Sequence, residues 1–230
     1  MSKSRFEAII FDLDGTLIDT ETPDFEACQM LYGELGLTLN IDQWARTIIG
    51  RLDAYDTLFD ELLLHSNDGL TKADLRRRLH ELWAITLQNV QLMPGAERLI
   101  SHLHEAGYPM GIATASDTQW TTRWLTRFDL WSYFQVVANK DHVSHTKPAP
   151  DLYLLAAAQL GVEPGRCLVF EDSLVGVQAA RAALMTVVAV PSHITRTLDF
   201  SQADEIVFGL EHIDLAWLDT LARKRMAKRT

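Results

Sequence analysis

Acidic side chains directly follow two short apolar runs of the sequence, and their types and spacing could support chemistry. Asp12 and Asp14 come after the run Phe6–Phe11, and Glu171 and Asp172 come after another apolar run. Carboxylates that are buried together without a cation carry a large desolvation cost. A hard divalent cation offsets this cost, and oxygen ligands favour Mg²⁺, which usually takes one or two carboxylates together with substrate phosphate oxygens. The acidic residues therefore predict a Mg²⁺ site.

Hydroxyl and ammonium groups could bind the remaining oxygens of such a phosphate. Thr114 and Ala115 follow a third apolar run, and Lys147 lies in a loop held by Pro148 and Pro150. Both kinds of group donate hydrogen bonds to phosphate oxygens. Thr114 and Lys147, together with Ala115 next to Thr114, are therefore the predicted phosphate-binding residues, and the whole set indicates phosphoryl transfer.

The elements that must position these residues form an alternating pattern of strands and helices. Continuous apolar runs, typical of strands buried on both faces, alternate with segments of helical period. The predicted strands are Phe6–Phe11, Met110–Thr114, Val136–Ala138, Cys167–Phe170, Val187–Val190 and Glu205–Phe208. This pattern predicts an α/β fold with a doubly wound, parallel, Rossmann-like sheet. Ligands of such sheets bind at the carboxyl ends of the strands, where the candidate residues lie.

The alternation stops between about residues 18 and 91, where only helical patterns occur. Ala27 and Leu31 share one helical stripe, and Leu75 and Leu79 share another. The simplest interpretation is a helical cap domain inserted after the first strand. The predicted domains are an α/β catalytic core of residues 1–17 and 92–230 and an α-helical cap of residues 18–91.

Composition excludes several other classes of protein. The chain has 230 residues, 47% of them hydrophobic, and its 21 Lys and Arg against 31 Asp and Glu give a net charge of −10. An acidic chain repels nucleic acid, and no apolar stretch approaches the roughly 20 residues of a membrane span. Cys28 and Cys167 lack metal-ligand spacing, which suits a reducing compartment. We expect a cytoplasmic protein that binds no nucleic acid and no membrane, and we infer no protein partner.

Four short motifs follow one another at the predicted strand ends and adjoining loops. They are Asp12-Leu13-Asp14-Gly15-Thr16, then Thr114, then Lys147-Pro148-Ala149-Pro150-Asp151, and finally Glu171-Asp172-Ser173 with Gly176. This order resembles the haloacid dehalogenase superfamily. The spacing of 102 positions from Asp12 to Thr114 is similar to that in the subgroup with a helical cap inserted there, which contains β-phosphoglucomutases, phosphoglycolate phosphatases and sugar-phosphate phosphatases.

The resemblance implies a role for each site residue. Asp12 would attack phosphorus and form an aspartyl phosphate, while Asp14 would protonate the leaving alcohol and later deprotonate water. The implied metal ligands are Asp12, the backbone carbonyl of Asp14, and Asp172, with Glu171 binding through water or orienting the others. Arg51 is the candidate cap contact to substrate. The expected function is a Mg²⁺-dependent phosphatase acting on a small phosphorylated metabolite such as a sugar phosphate.

Two alternatives remain open. A phosphotransferase of the β-phosphoglucomutase type would interconvert isomeric sugar phosphates. The resemblance implies for mutases a histidine shortly after the first motif and an arginine shortly after a cap glycine, where this sequence has Asp24 and Asp53. A non-enzymatic phosphoacceptor module would also place acidic residues at strand ends. Such a module needs neither Asp14 as an acid nor a 74-residue insertion from residue 18 to residue 91.

Other residues near the motifs have simpler structural interpretations. Ser116 and Asp117 are predicted to cap the following helix, and Trp120 and Trp124, four residues apart, to form a packing stripe. After the fourth motif, Ala182-Ala183 replaces the Ala-Gly pair that the resemblance implies at a turn.

Overall fold

The computed structural model describes residues 6–49, 54–66 and 69–227. Arg51 and Asp53 lie outside the described residues. The strands are β1 (Ala8–Phe11), β2 (Met110–Ala113), β3 (Val136–Ala138), β4 (Cys167–Glu171), β5 (Thr186–Ala189) and β6 (Glu205–Ile206). The helices are α1 (Glu21–Glu34), α2 (Ile41–Thr47), α3 (Ala54–Leu64), α4 (Lys72–Thr86), α5 (Ala96–Glu105), α6 (Thr118–Arg127), α7 (Asp151–Leu160), α8 (Leu174–Ala182) and α9 (Leu215–Ala227).

The six strands form one sheet in the order β3-β2-β1-β4-β5-β6, and every neighbouring pair is parallel. On the central strand β1, Ile10 lies opposite Gly111 of β2 and Val169 of β4. Every residue of β1, β2, β4 and β5 is buried. This burial explains the unbroken apolar runs, because a strand covered on both faces has no solvent-facing positions. The predicted α/β fold with a doubly wound parallel sheet and an inserted helical region is confirmed.

The edge strand β6 is shorter than its apolar run suggested. Only Glu205 and Ile206 belong to the strand, whereas the sequence predicted Glu205–Phe208. As an edge strand, β6 pairs with β5 alone, and Phe208 is 66% exposed. None of the described helices combines the length and the hydropathy that a bilayer span requires.

The chain divides into two compact units. The sheet unit comprises the described residues of Met1–Ile18, Leu92–Ser192 and Asp199–Thr230. The helical unit comprises those of Asp19–Gln91 together with the short segment His193–Leu198. The predicted role of the helical region as a cap stays a prediction.

The segment His193–Leu198 packs into the apolar core of the helical unit, although it follows β5 in the sequence. Ile194 is 1% exposed within a cluster that also contains Trp44 and Phe59. The hydroxyl of Thr197 donates a hydrogen bond to Asp42 Oδ1 over 2.7 Å. No sequence pattern indicated this attachment, because a single buried isoleucine in a loop has no periodicity.

Helix α8 ends in a turn that places a leucine in the left-handed backbone region. Leu184 has a φ of 62° and is 74% exposed, and it follows the Ala182-Ala183 pair. A left-handed conformation costs an L-residue with a Cβ roughly 1–2 kcal/mol. Glycine avoids this cost at a helix C-terminus, and the exposed leucine side chain has little packing to lose.

We therefore expect Leu184→Gly to stabilise the protein by about 0.5–1 kcal/mol, which raises Tm by about 1–4 °C in a chain of this size. Differential scanning calorimetry measures the shift. Leu154→Gly is the matched control, because Leu154 is also exposed but lies inside α7, where glycine lowers stability. A fall in Tm for both variants would contradict the inference that the left-handed backbone at Leu184 is strained.

Candidate active site

The acidic residues of the first and fourth motifs lie together because β1 and β4 are neighbours in the sheet. Phe11, the last residue of β1, pairs with Phe170 of β4. The next residue, Asp12, donates its backbone N–H to the carbonyl of Phe170 over 3.0 Å. Glu171 and Asp172 follow Phe170 on the adjacent strand. The carboxyl edge of the sheet thus gathers these acidic side chains, as the sequence predicted.

Three buried carboxylates form a potential metal site at this edge. Asp12, Glu171 and Asp172 each offer an oxygen, and these three oxygens all lie within 4.8 Å of one another. The three residues are 6%, 0% and 1% exposed. A compact set of carboxylate oxygens is the donor chemistry that a hard cation such as Mg²⁺ prefers.

The buried ammonium of Lys147 forms ion pairs with two of these carboxylates. Its Nζ contacts Asp12 Oδ1 and lies 2.6 Å from Glu171 Oε1. Burial lowers the pKa of Lys147, but the charges of Asp12 and Glu171 outweigh this effect and hold the pKa above its ordinary value. Lys147 therefore stays protonated in this environment.

The charge balance of the cluster favours a divalent cation. If all three carboxylates are counted as ionised, the cluster with the Lys147 ammonium has a formal charge of −2. Burial raises the pKa of Asp12 to about 8, although Lys147 acts in the opposite direction. A cation of charge +2 beside Asp12 would favour its ionised form, which is the form that attacks phosphorus. The donor set and the charge therefore fit Mg²⁺.

The two carboxylates of the fourth motif have different surroundings. Glu171 Oε1 accepts hydrogen bonds from Lys147 and from the Tyr153 hydroxyl, the latter over 2.7 Å. Glu171 Oε2 accepts from the backbone N–H and the hydroxyl of Ser173, over 3.0 and 2.9 Å. Asp172 Oδ1 accepts from Thr16 over 3.1 Å. Protein donors occupy both oxygens of Glu171, which supports an orienting role for this residue.

Two glycines leave the space that these carboxylates occupy. A Cβ on Gly15, which has a φ of 76°, would lie 2.1 Å from Asp172 Oδ2. A Cβ on Gly176 would lie 1.7 Å from Glu171 Oε1. Any larger residue at either position would displace the carboxylate beside it, so these glycines are required for the geometry of the site.

Gly176→Ala is therefore expected to push Glu171 away from Lys147 and Ser173. We expect activity or Mg²⁺ affinity to fall about 10–100-fold, as for other residues that orient metal ligands. Phosphatase assays over a range of Mg²⁺ concentrations measure both quantities.

The matched control is Gly33→Ala in α1, where a Cβ meets no atom within 4 Å. This variant should keep full activity and gain about 0.5–1 kcal/mol of stability from the better helix former. Native activity and native Mg²⁺ affinity in Gly176→Ala would contradict the proposed packing of Glu171.

The side chain of Asp14 lies outside the three-carboxylate group and contacts the loop after β2. Its Oδ2 accepts hydrogen bonds from Ser116 Oγ over 2.6 Å and from Thr114 Oγ1 over 3.3 Å. Its Oδ1 accepts from Trp120 Nε1 over 2.7 Å. Ala115 is half-buried in the same loop. The phosphate-binding roles of Thr114, Ala115 and Lys147 and the metal-binding role of the Asp14 carbonyl stay predictions.

Sequence reasoning missed part of the environment of Asp14. Asp117 caps α6, accepting from the backbone N–H of Trp120 over 2.8 Å, but Ser116, also predicted as a cap, contacts Asp14 instead. The predicted packing of Trp120 on Trp124 is confirmed, with ring centroids 5.5 Å apart. The contact of the Trp120 indole with Asp14 was not predicted.

The residues around the metal site that were not predicted differ in how strongly the sequence indicated them. Thr16 and Ser173 belong to the first and fourth motifs, so their positions could have suggested a supporting role. Tyr153 lies in α7, and only the packing of that helix against the sheet brings its hydroxyl to Glu171.

Comparison with known families identifies the fold and the site together. The family model described as haloacid dehalogenase-like hydrolase matches residues 9–190, a range that contains all the carboxylates of the site. This chain belongs to the haloacid dehalogenase-like hydrolases. The resemblance stated from the four motifs is thus confirmed.

Relatives of this haloacid dehalogenase-like hydrolase include named phosphatases. YhcW of Bacillus subtilis (strain 168) is 35% identical over 212 residues, which cover 92% of this chain and 96% of that protein. The fructose-1-phosphate phosphatase YqaB of Escherichia coli (strain K12) is 34% identical over 186 residues, covering 81% and 97%. A crystal structure of CbbY from Rhodobacter sphaeroides in complex with phosphate shares 29% identity with a TM-score of 0.72, covering 93% and 99%.

These relatives establish that this haloacid dehalogenase-like hydrolase is a phosphatase acting on phosphate esters. The alternative of a non-enzymatic phosphoacceptor module is therefore wrong. In the helical unit of the enzyme, Asp24 accepts hydrogen bonds from the Tyr55 hydroxyl and, over 2.7 Å, from Trp83 Nε1. Asp24 is the residue found where the resemblance implies a histidine for mutases.

Proposed function

We propose that this phosphatase hydrolyses a small phosphorylated metabolite, a sugar phosphate or a similar phosphomonoester, with Mg²⁺ and through an aspartyl phosphate. The buried cluster of Asp12, Glu171, Asp172 and Lys147, with its formal charge of −2, is the observation that carries the proposal. The name of YqaB, a fructose-1-phosphate phosphatase, supports the substrate class.

In this proposal Asp12, Asp172 and the backbone carbonyl of Asp14 hold Mg²⁺, and Glu171 orients the cluster. When bound, Mg²⁺ withdraws negative charge from the phosphoryl oxygens and so stabilises the transition state. Lys147 Nζ, already beside Asp12, would donate to a further phosphoryl oxygen. Thr114 and Ala115 would contact the same phosphoryl group from the loop after β2.

The first chemical step transfers the phosphoryl group to the protein. A carboxylate oxygen of Asp12 forms a bond to phosphorus as the bond between phosphorus and the ester oxygen breaks. Asp14 donates a proton to the departing ester oxygen, which leaves as an alcohol.

The second step restores the enzyme. Asp14, now a carboxylate, accepts a proton from water as the water oxygen bonds to phosphorus and the bond to Asp12 breaks. The net reaction consumes one ester and one water and releases one alcohol and one inorganic phosphate.

The helical unit has the proposed role of a cap that excludes water during the first step. Its sequence position between β1 and β2 supports this role, as does the membership of the family. Arg51 is the proposed cap contact to an anionic or hydroxylated substrate.

The proposal is tested by measuring inorganic phosphate released from p-nitrophenyl phosphate and from a panel of sugar phosphates in the presence of Mg²⁺. We expect alcohol and phosphate to be released in equal amounts. We also expect kcat/KM to be higher for a member of the sugar-phosphate panel than for p-nitrophenyl phosphate. Phosphorus NMR of the same reactions detects isomerisation. Formation of an isomeric sugar phosphate without phosphate release, after priming with a bisphosphate, would overturn the proposal in favour of a mutase.

A further inference from the structure

The carboxyl group of Asp14 is held at both of its oxygens by the loop and helix that follow β2. Trp120 Nε1 donates to Oδ1 over 2.7 Å, and Ser116 Oγ contacts Oδ2 over 2.6 Å. Contacts at both oxygens fix the rotation of the carboxyl plane. Proton transfer depends steeply on the orientation of the acid, since a misplacement of about 1 Å can cost about 10²-fold in rate.

The donors at the two oxygens differ in their hydrogen-bonding capacity, because Oδ1 faces an indole whereas Oδ2 faces the hydroxyls of Ser116 and, over 3.3 Å, Thr114. An indole N–H can only donate, whereas a hydroxyl can rotate to donate or accept. Oδ1, facing Trp120, must therefore act as an acceptor in either protonation state of Asp14. When Asp14 carries its proton, that proton is placed on Oδ2, where the hydroxyl of Ser116 can turn to accept it.

The indole is itself held rigidly. Trp120 lies in the first turn of α6, where its backbone N–H donates to the capping Asp117 over 2.8 Å. Its ring packs edge-on, at 77°, against Trp124, which is fully buried and stacks on Phe128. The N–H direction is therefore set before substrate binds, which lowers the cost of orienting Asp14.

We propose that Trp120 is a positioning residue whose indole N–H fixes the orientation of Asp14, so that the proton for the leaving group is held on Oδ2. The inference rests on the proposed function, in which Asp14 is the acid of the first step. Trp120 acts through Asp14 and contacts neither Asp12 nor the metal-binding carboxylates among its described hydrogen bonds.

The test compares two leaving groups in Trp120→Phe, which removes the N–H and keeps an aromatic ring on Trp124. A sugar alkoxide needs a proton to leave, whereas p-nitrophenolate leaves with little assistance. We expect kcat/KM, which reports the phosphorylation step, to fall about tenfold or more with the sugar phosphate and less than about threefold with p-nitrophenyl phosphate. Ser116→Ala, which leaves both tryptophans intact, should show the same dependence on the leaving group.

Trp131→Phe is the matched control, because the Trp131 indole donates to Thr126 over 3.1 Å at the far end of α6. It should keep native kcat/KM with both substrates, and its Tm shows what the loss of an indole N–H costs in stability alone. In an Asp14→Ala background, Trp120→Phe should cause no further loss, because the residue through which it acts is absent.

The outcomes separate this inference from the proposed function. If Asp14→Ala loses activity mainly with the sugar phosphate while Trp120→Phe behaves like Trp131→Phe, the positioning role is wrong and the proposed function stands. Equal losses of Trp120→Phe with both substrates, or an undiminished loss in the Asp14→Ala background, would also overturn the positioning role. An Asp14→Ala variant with no dependence on the leaving group would overturn the acid assignment and this inference together.

Discussion

Replacing Asp12 by asparagine is expected to lower kcat by about 10⁴-fold or more, because a neutral amide does not attack phosphorus and is a poor ligand for Mg²⁺. The fold should remain intact, since the amide has nearly the same shape as the carboxyl group. Circular dichroism and Tm check the fold, and phosphate release checks the activity.

Detecting the proposed aspartyl phosphate is a second test of the role of Asp12. Rapid acid quenching followed by mass spectrometry should detect a phosphoryl adduct on the wild-type peptide that contains Asp12 and none in the variant. Asp199→Asn makes the same chemical change at an exposed turn, where the carboxylate accepts from the backbone of Ser201, and should keep native activity. A kcat for Asp12→Asn within about tenfold of wild type would refute an Asp12 nucleophile.

Removing divalent cations with EDTA is expected to reduce activity below about 1% of its value with Mg²⁺, because the charge on the transferred phosphoryl group then lacks its main stabilisation. Mg²⁺ should restore activity. Ca²⁺ should restore little, because its larger and more flexible coordination sphere does not hold the reacting oxygens in place. Activity against free cation concentration measures both effects.

Binding can be measured independently of turnover. Mg²⁺ that binds the folded protein raises Tm by mass action. This increase in Tm should be present in the wild type and in Asp199→Asn. In Asp172→Asn it should need Mg²⁺ concentrations higher by at least the roughly 10–100-fold that loss of a residue orienting a ligand costs, because Asp172 is a proposed ligand itself. Full activity after exhaustive chelation, together with a Tm that does not respond to Mg²⁺, would refute the metal site.

The carboxylate positions could be predicted because their placement depends mainly on the backbone. Asp12 and Asp172 come at the ends of strands whose apolar runs are continuous, and parallel strands bring such ends to one edge of a sheet. The order of the motifs then sufficed to recognise the family. The match of the family to residues 9–190 is consistent with this reasoning.

The finer contacts of the site could not be predicted from the same patterns. Trp120 reaches Asp14 and Tyr153 reaches Glu171 only through the direction of single side chains on α6 and α7. Helical spacing gives the face of a helix but not the partner that one polar atom will find. The predicted end of β6, Phe208, was wrong for a related reason, because pairing with one neighbour rather than composition determines the length of the strand.

The attachment of His193–Leu198 to the helical unit affects how that unit could be exchanged between relatives. A graft that replaced only residues 19–91 would remove the side chains against which Ile194 packs, as well as the Asp42 carboxylate that binds Thr197. The helical unit is therefore discontinuous in sequence: its long segment and its six-residue segment are separated by 101 residues of the sheet unit. Chimaeras that transfer both segments should fold better than those that transfer the long segment alone. Recombination at only two breakpoints transfers the long segment without the short one, so it would rarely produce a stable hybrid.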